Sequence, residues 1–257
     1  MPEHSSWFDF LLPQLGLWRT QLQDRLGTSY LNHGDISLQY VAGFAAVALF
    51  VMLLVLSARS RLVDVEHALI PDDRLTVRTF FELMTETILG MMEGMMTRSQ
   101  AVFFLPLIGT CGLMILFSNL LGLIPGFEAA TGNLNTTMAM ALIIFLVTHI
   151  YGVREHGLGY IVHFFGPIRK WYALPLMILM FGIEIVSHLA RPLSLSIRLM
   201  GNMFADHKVL TLFTVLVPFV LPMPLLIMGL LVCVVQVAVF CILSIVYIAS
   251  AVSHDEH

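Results

Sequence analysis

The chain predicts an all-α integral membrane protein: an amphipathic surface helix, about three upright spans, and two long tilted helices forming a hairpin. Three observations carry this expectation. Of 257 residues, 58% are hydrophobic and only 12% charged, about half the charged share of ordinary soluble domains. The mean hydropathy is +0.87. The apolar residues also come in long blocks, and about 20 such residues as a helix cross roughly 30 Å of hydrocarbon. A bundle of this size is its own core, so a single membrane domain over residues 1–257 is expected. The net charge of −4 is small and says little about partners.

Residues 1–37 are mixed and polar, and Trp7, Trp18 and Tyr30 suit an interfacial position. The opening MPEHSSWFDF has no basic stretch followed by an apolar core, so no cleavable signal peptide is expected. The first span is residues 38–57, uncharged throughout. ARSRL follows at once, and its arginines put that end in the cytoplasm and the N-terminus outside. In residues 78–98, Phe81, Met84, Ile88, Met92 and Met95 recur at three- and four-residue steps, with Glu82, Glu86, Glu93 and Thr97 opposite. That is the pattern of an amphipathic helix, lying on the cytoplasmic membrane surface, docked on a partner, or serving as an ordinary core helix.

Residues 101–151 form a helical hairpin of two spans, roughly 101–125 and 136–151. Their connecting loop, GFEAATGNLNTT, has no Lys or Arg, whereas the next loop holds Arg154, Arg169 and Lys170. Basic residues thus fall in alternate loops, which keeps one orientation throughout. Residues 173–252 form the long tilted pair. Its first member is too long for an upright crossing and needs steep tilt or a break, with Pro192 and Gly201 as candidate bends. A turn through Pro218, Pro222 and Pro224 leads into the last helix, and the tail SHDEH is cytoplasmic by topology. Cys111, Cys233 and Cys241 lie inside apolar blocks with no metal-ligand spacing, so no metal or other cofactor is expected. No internal repeat or low-complexity tract is present.

The informative constellation lies in the first long helix. Glu184, His188, Arg191, Arg198, Asn202 and Asp206 follow steps of 4, 3, 7, 4 and 4. At about 100° per residue they fit an arc of roughly 80°, with Ser187 beside it. His207 falls off the stripe, and Gln236 is the lone amide in the last helix. Plain structural roles exist for several of these. Arg191 can snorkel or pair with Glu184, and Lys208 can reach a headgroup. His188 can be a packing histidine, and Asn202 and Gln236 can bond across helices.

Arg198 is hardest to dismiss, because Ile197, Leu199 and Met200 around it are all apolar. A central arginine costs from about 3 to more than 10 kcal/mol, and such a charge is read as functional by default. Carboxylates and histidine relay protons after modest shifts. Arginine cannot, and its use is to hold an anion or repel cations. Titratable groups interrupted by one fixed positive charge make two half-paths with a gate between them.

These residues resemble a known family. SLSIRLMGNMFADH, preceded by Glu184 and followed by VVQVAVFCILSIVYIASAVSHDEH, is similar to subunit a of the F-type ATP synthases, as is NLLGLIPGFEAATGNLNTTMAMAL. The resemblance covers roughly residues 75–253. It implies a proton-translocating membrane stator without covalent chemistry of its own. Its partners would be a rotor ring of small hairpin subunits (subunit c), a peripheral-stalk subunit b and, indirectly, the soluble ATPase head. The surroundings would be the lipid of a bacterial inner membrane, and no nucleic acid is expected. Arg198 matches the family's essential arginine. Asn202, His207 and Gln236 match positions of the outer half-channel. Glu184, with Ser187 close by, matches the cytoplasmic one, and Arg191 matches a commonly basic, less critical position. One departure stands out: the family often has an ionisable group where Gly229 stands, whereas here the extra acid is Asp206.

The rival classes are a secondary transporter, which should show paired repeats and broken helices in both halves, and a purely structural membrane subunit, which would tolerate loss of Arg198. Sodium in place of protons is a third possibility, decided mainly by the ring.

Overall fold

The structure is a computed structural model that describes residues 38–62, 76–124, 127, 129–157, 174–216 and 222–252. The N-terminal segment 1–37, Arg169, Lys170, Pro218 and the SHDEH tail lie outside the described residues. Among the described residues the architecture is helical: α1 (Leu38–Leu62), α2 (Val77–Glu93), α3 (Arg98–Gly122), a 3-10 turn (Ala130–Gly132), α4 (Leu134–His156), α5 (Leu174–Leu216) and α6 (Pro222–Val252). Five of the helices, all but α2, are long and apolar enough to cross a membrane.

The sequence explains where each element starts and stops. Thr76 caps α2 by accepting from the Thr79 amide. The helix ends at Glu93, and Thr97 with Gln100 forms a capping box that starts α3. The apolar stripe of α2 therefore stops short of the expected 98: Ile88 and Met92 are buried, but Met95 lies in the turn and is exposed. Ile88 and Met92 pack with Phe104 and Ile108 of α3 and Ile245 and Ile248 of α6 in one apolar cluster. The α2 face thus docks on the bundle itself. A second cluster joins Val47 and Val51 of α1, Ile115 of α3, Ile144 of α4, Leu195 and Leu199 of α5, and Phe240 of α6.

The α3–α4 connection is held by polar groups. Ser118 Oγ accepts from the Thr131 amide at 3.1 Å, and the Thr131 hydroxyl donates to Asn119 Oδ1 at 2.5 Å. All three side chains are fully buried. Gly122 permits this closure, because a Cβ there would run into the backbone and side chain of Ala129.

The long helix α5 is unbroken. Pro192 sits inside its 43 residues, and the helix continues through both Pro192 and Gly201. Of the two ways to house so long an element, tilt rather than a break applies. The 40-residue apolar stretch Met177–Leu216 is about 60 Å long, so a straight helix kept within about 30 Å of hydrocarbon lies about 60° from the normal. The 31 residues of α6 give about 46 Å and an inclination of about 50° by the same reasoning.

Candidate functional site

The site is the polar stripe of α5 and what faces it from α4 and α6. The buried side of α5 carries Pro192, Leu195, Leu199 and Met203. Measured from Leu199 at about 100° per residue, Glu184, His188, Arg191, Arg198, Asn202 and Asp206 lie about 20–100° to one side. His207 lies about 80° to the other. The stripe thus runs along one shoulder of the buried face, where polar groups can meet neighbouring helices without filling the core.

At one end, His188 Nε2 lies 3.1 Å from Glu184 Oε1, one turn away on the same helix. The His188 side chain is mostly buried and the Glu184 side chain half-exposed. His149 of α4 meets this pair, its ring centroid 5.1 Å from that of His188 at 74°. The sequence reading left His149 out, although a histidine in an apolar span was a usable signal. Ser187 is exposed beside Glu184.

Arg191 is half-buried and stacks over the Tyr247 ring of α6, 5.3 Å from its centroid. This cation–π contact is worth about 0.5–2 kcal/mol. Glu184 bonds to His188, so the expected alternative of an Arg191–Glu184 pair is not what forms. A pocket of about 10 Å³ adjoins Arg191, Pro192 and Tyr247, lined on the α4 side by Thr148 and His149. That is about the space of a single water.

Arg198 stands alone. It is exposed, and among the described residues it has neither an ion-pair nor a hydrogen-bond partner. Its neighbours Leu195 and Leu199 are buried in the bundle, while Ile197 is exposed beside it. Arg198 is thus directed away from its own chain.

On the other side of Arg198 the stripe is tied to α6. Asn202 Nδ2 donates to Gln236 Oε1 at 2.7 Å, and Gln236 is only 5% exposed. One turn further, Asp206 is half-buried, and its Oδ2 is buried without a hydrogen-bond partner among the described residues. His207 Nδ1 is also buried without one. A Cβ at Gly229, one turn from Cys233, would meet Leu123 Cδ2 at 2.7 Å. The space that a larger residue at 229 would enter is thus filled by Leu123, just past the end of α3, and the acid lies across on α5. Lys208 is exposed, its ammonium 5.6 Å from the Phe204 ring centroid.

Along the axis, Glu184 is about 21 Å and Asp206 about 12 Å from Arg198. On a helix inclined about 60°, these become depths of about 10 and 6 Å from the level of Arg198. The stripe therefore reaches toward both membrane surfaces from a charge near the middle. Among the described residues there is no cluster of His, Cys, Asp or Glu able to hold a metal ion.

The chain matches the family model described as "ATP synthase A chain" over residues 40–249. It is 38% identical to "ATP synthase subunit a" of Sorangium cellulosum (strain So ce56) over 260 residues, covering 100% of both chains. It is 40% identical to "ATP synthase subunit a" of Bdellovibrio bacteriovorus (strain ATCC 15356 / DSM 50701 / NCIMB 9529 / HD100), covering 92% of this chain and 97% of that one. To "ATP synthase subunit a 2" of Syntrophotalea carbinolica (strain DSM 2380 / NBRC 103641 / GraBd1) it is 50% identical, over 68% of this chain and 72% of the relative.

Proposed function

Because the chain belongs to the ATP synthase subunit a family, we propose that it is the proton-conducting stator of an F-type membrane sector. In this reading it gives protons two half-channels to the carboxylates of a rotor ring of subunit c, and couples their flow to ring rotation. The observation that carries this is Arg198, an exposed guanidinium without a partner among the described residues, between two polar groups of side chains on one helix.

A proton enters from outside along Asp206, His207, Asn202 and Gln236 and neutralises a ring carboxylate. A neutral carboxyl crosses lipid far more readily than a charged one. After nearly a full turn of the ring it reaches the cytoplasmic half-channel beside Glu184 and Ser187, where it ionises. Arg198 then attracts the carboxylate, and its fixed charge bars protons from passing directly between the half-channels. The attraction has to stay modest. A desolvated Arg–carboxylate pair holds by several kcal/mol, whereas the membrane potential supplies about 2.3 kcal/mol per charge per 100 mV. The exposure of Arg198 supports access of water to such a pair, which weakens it enough for rotation.

The same reading puts the chain in a bacterial inner membrane, N-terminus outside and C-terminus in the cytoplasm. A peripheral-stalk subunit b and membrane lipid are its other neighbours, and bond-forming chemistry belongs to the soluble head. The test is Arg198→Ala in the assembled complex in inverted membrane vesicles. ATP-driven acidification should be abolished, with passive proton leak through the sector permitted. Full coupling in the variant refutes the gate.

A further inference from the structure

We infer that His149 of α4 is a proton-carrying member of the cytoplasmic half-path, acting with the Glu184–His188 pair across the α4–α5 contact. The inference rests on the two-half-channel reading above and extends that path to a third helix.

The geometry is specific. His149 Nδ1 lies 2.9 Å from the Phe145 carbonyl of its own helix. A carbonyl only accepts, so Nδ1 carries the hydrogen. In the neutral ring Nε2 is then left as the acceptor, the atom that can take up a further proton. The half-buried His149 ring stands edge to face with His188, 5.1 Å between centroids. His188 in turn is 3.1 Å from the Glu184 carboxylate. Three titratable groups thus follow one another from α4 to the exposed edge of α5.

The water-sized cavity lies on the His149 side of this chain of groups, walled by His149, Thr148, Arg191, Pro192 and Tyr247. A water there sits between His149 and the part of α5 that leads to Arg198. Among the described residues, the charged and titratable groups facing the histidines include Glu184 and Arg191 from α5 and Tyr247 from α6. Arg191 is held over Tyr247 and does not occupy the Glu184 carboxylate. Its fixed positive charge stands beside the cavity that His149 lines. The step is a simple transfer. Nε2 of neutral His149 gains a proton from a hydrated proton in the path, giving imidazolium and water. The same N–H bond then breaks, and the proton passes to water, which can hand it on to the Glu184 carboxylate, restoring the neutral ring.

The test uses the assembled complex in inverted vesicles, with assembly checked by co-purification of the ring and head. His149→Phe keeps a ring against His188 but cannot carry a proton, and His149→Ala opens the site. Both should lower the initial rate of ATP-driven acidification about tenfold without creating a leak. Added imidazole should restore the Ala variant in proportion to its concentration and leave the Phe variant unchanged. A Phe variant that pumps at the unsubstituted rate, or an Ala variant that imidazole does not restore, overturns the role of His149. Arg198→Ala run in parallel separates the two claims. If it uncouples while His149→Phe pumps normally, only the role of His149 fails. If it stays fully coupled, the half-channel reading itself fails.

Discussion

Replacing Gln236 by leucine removes one end of the bond that ties the polar stripe of α5 to α6, at nearly constant volume. Gln236 is 5% exposed and accepts from Asn202 at 2.7 Å. Hydrogen bonds between membrane helices average about 0.6 kcal/mol and reach about 1.7. This bond is short and one partner is buried, which puts it toward the upper end. Asn202 is itself exposed, so water can replace the lost acceptor and limits the loss. A coupling of about 1 kcal/mol follows, equivalent to a factor of about five. The assay is a double-mutant cycle with Gln236→Leu, Asn202→Leu and the pair, read as initial rates of ATP-driven acidification in vesicles. The double variant should be about fivefold faster than the product of the two single effects. Strictly multiplicative losses would mean that the two amides do not act together and that the contact is incidental.

Four other substitutions probe the outer half of the site and its support. Asp206→Asn should slow proton flow more than Lys208→Gln, since Asp206 has a buried carboxylate oxygen while Lys208 is exposed; equal, negligible effects in the vesicle assay would remove Asp206 from the path. Gly229→Ala should be tolerated within about 1–3 kcal/mol, because the atom in the way is the movable end of Leu123; loss of the assembled complex on a detergent gel would contradict this. Gly122→Ala should be worse than Gly229→Ala by thermal denaturation of the complex, because it meets the Ala129 backbone, which cannot rotate aside; equal midpoints would count against that packing.

The spans and the stripe were legible for a plain reason. Apolar run length and residue spacing are local properties, and lipid forces every backbone group into a helix. Arg198 declared itself by the cost of a charge among Ile197, Leu199 and Met200. What the sequence could not supply was partnership across helices. Arg191 stacks on Tyr247, 56 positions along the chain, and no spacing rule predicts that contact. His149 belongs to another helix than the stripe it meets, so a wheel drawn on α5 could not include it. The end of α2 was misjudged because Met95 and Met96 continue the apolar content past Glu93, while the Thr97 capping box starts a new helix. Pro192 and Gly201 are weak positions for a helix, yet neither breaks α5, which runs through both. Leu195, Ser196, Leu199 and Met203 hold that stretch against the bundle, and packing outweighs a local preference of about 1–3 kcal/mol.

The most direct test of the central claim is a density map of the assembled complex at side-chain resolution around Arg198. The account predicts that the guanidinium faces a ring carboxyl near mid-membrane, with polar, hydrated space approaching it from each side. A guanidinium pointing into lipid, or one on the face of the subunit turned away from the rotor, would contradict it.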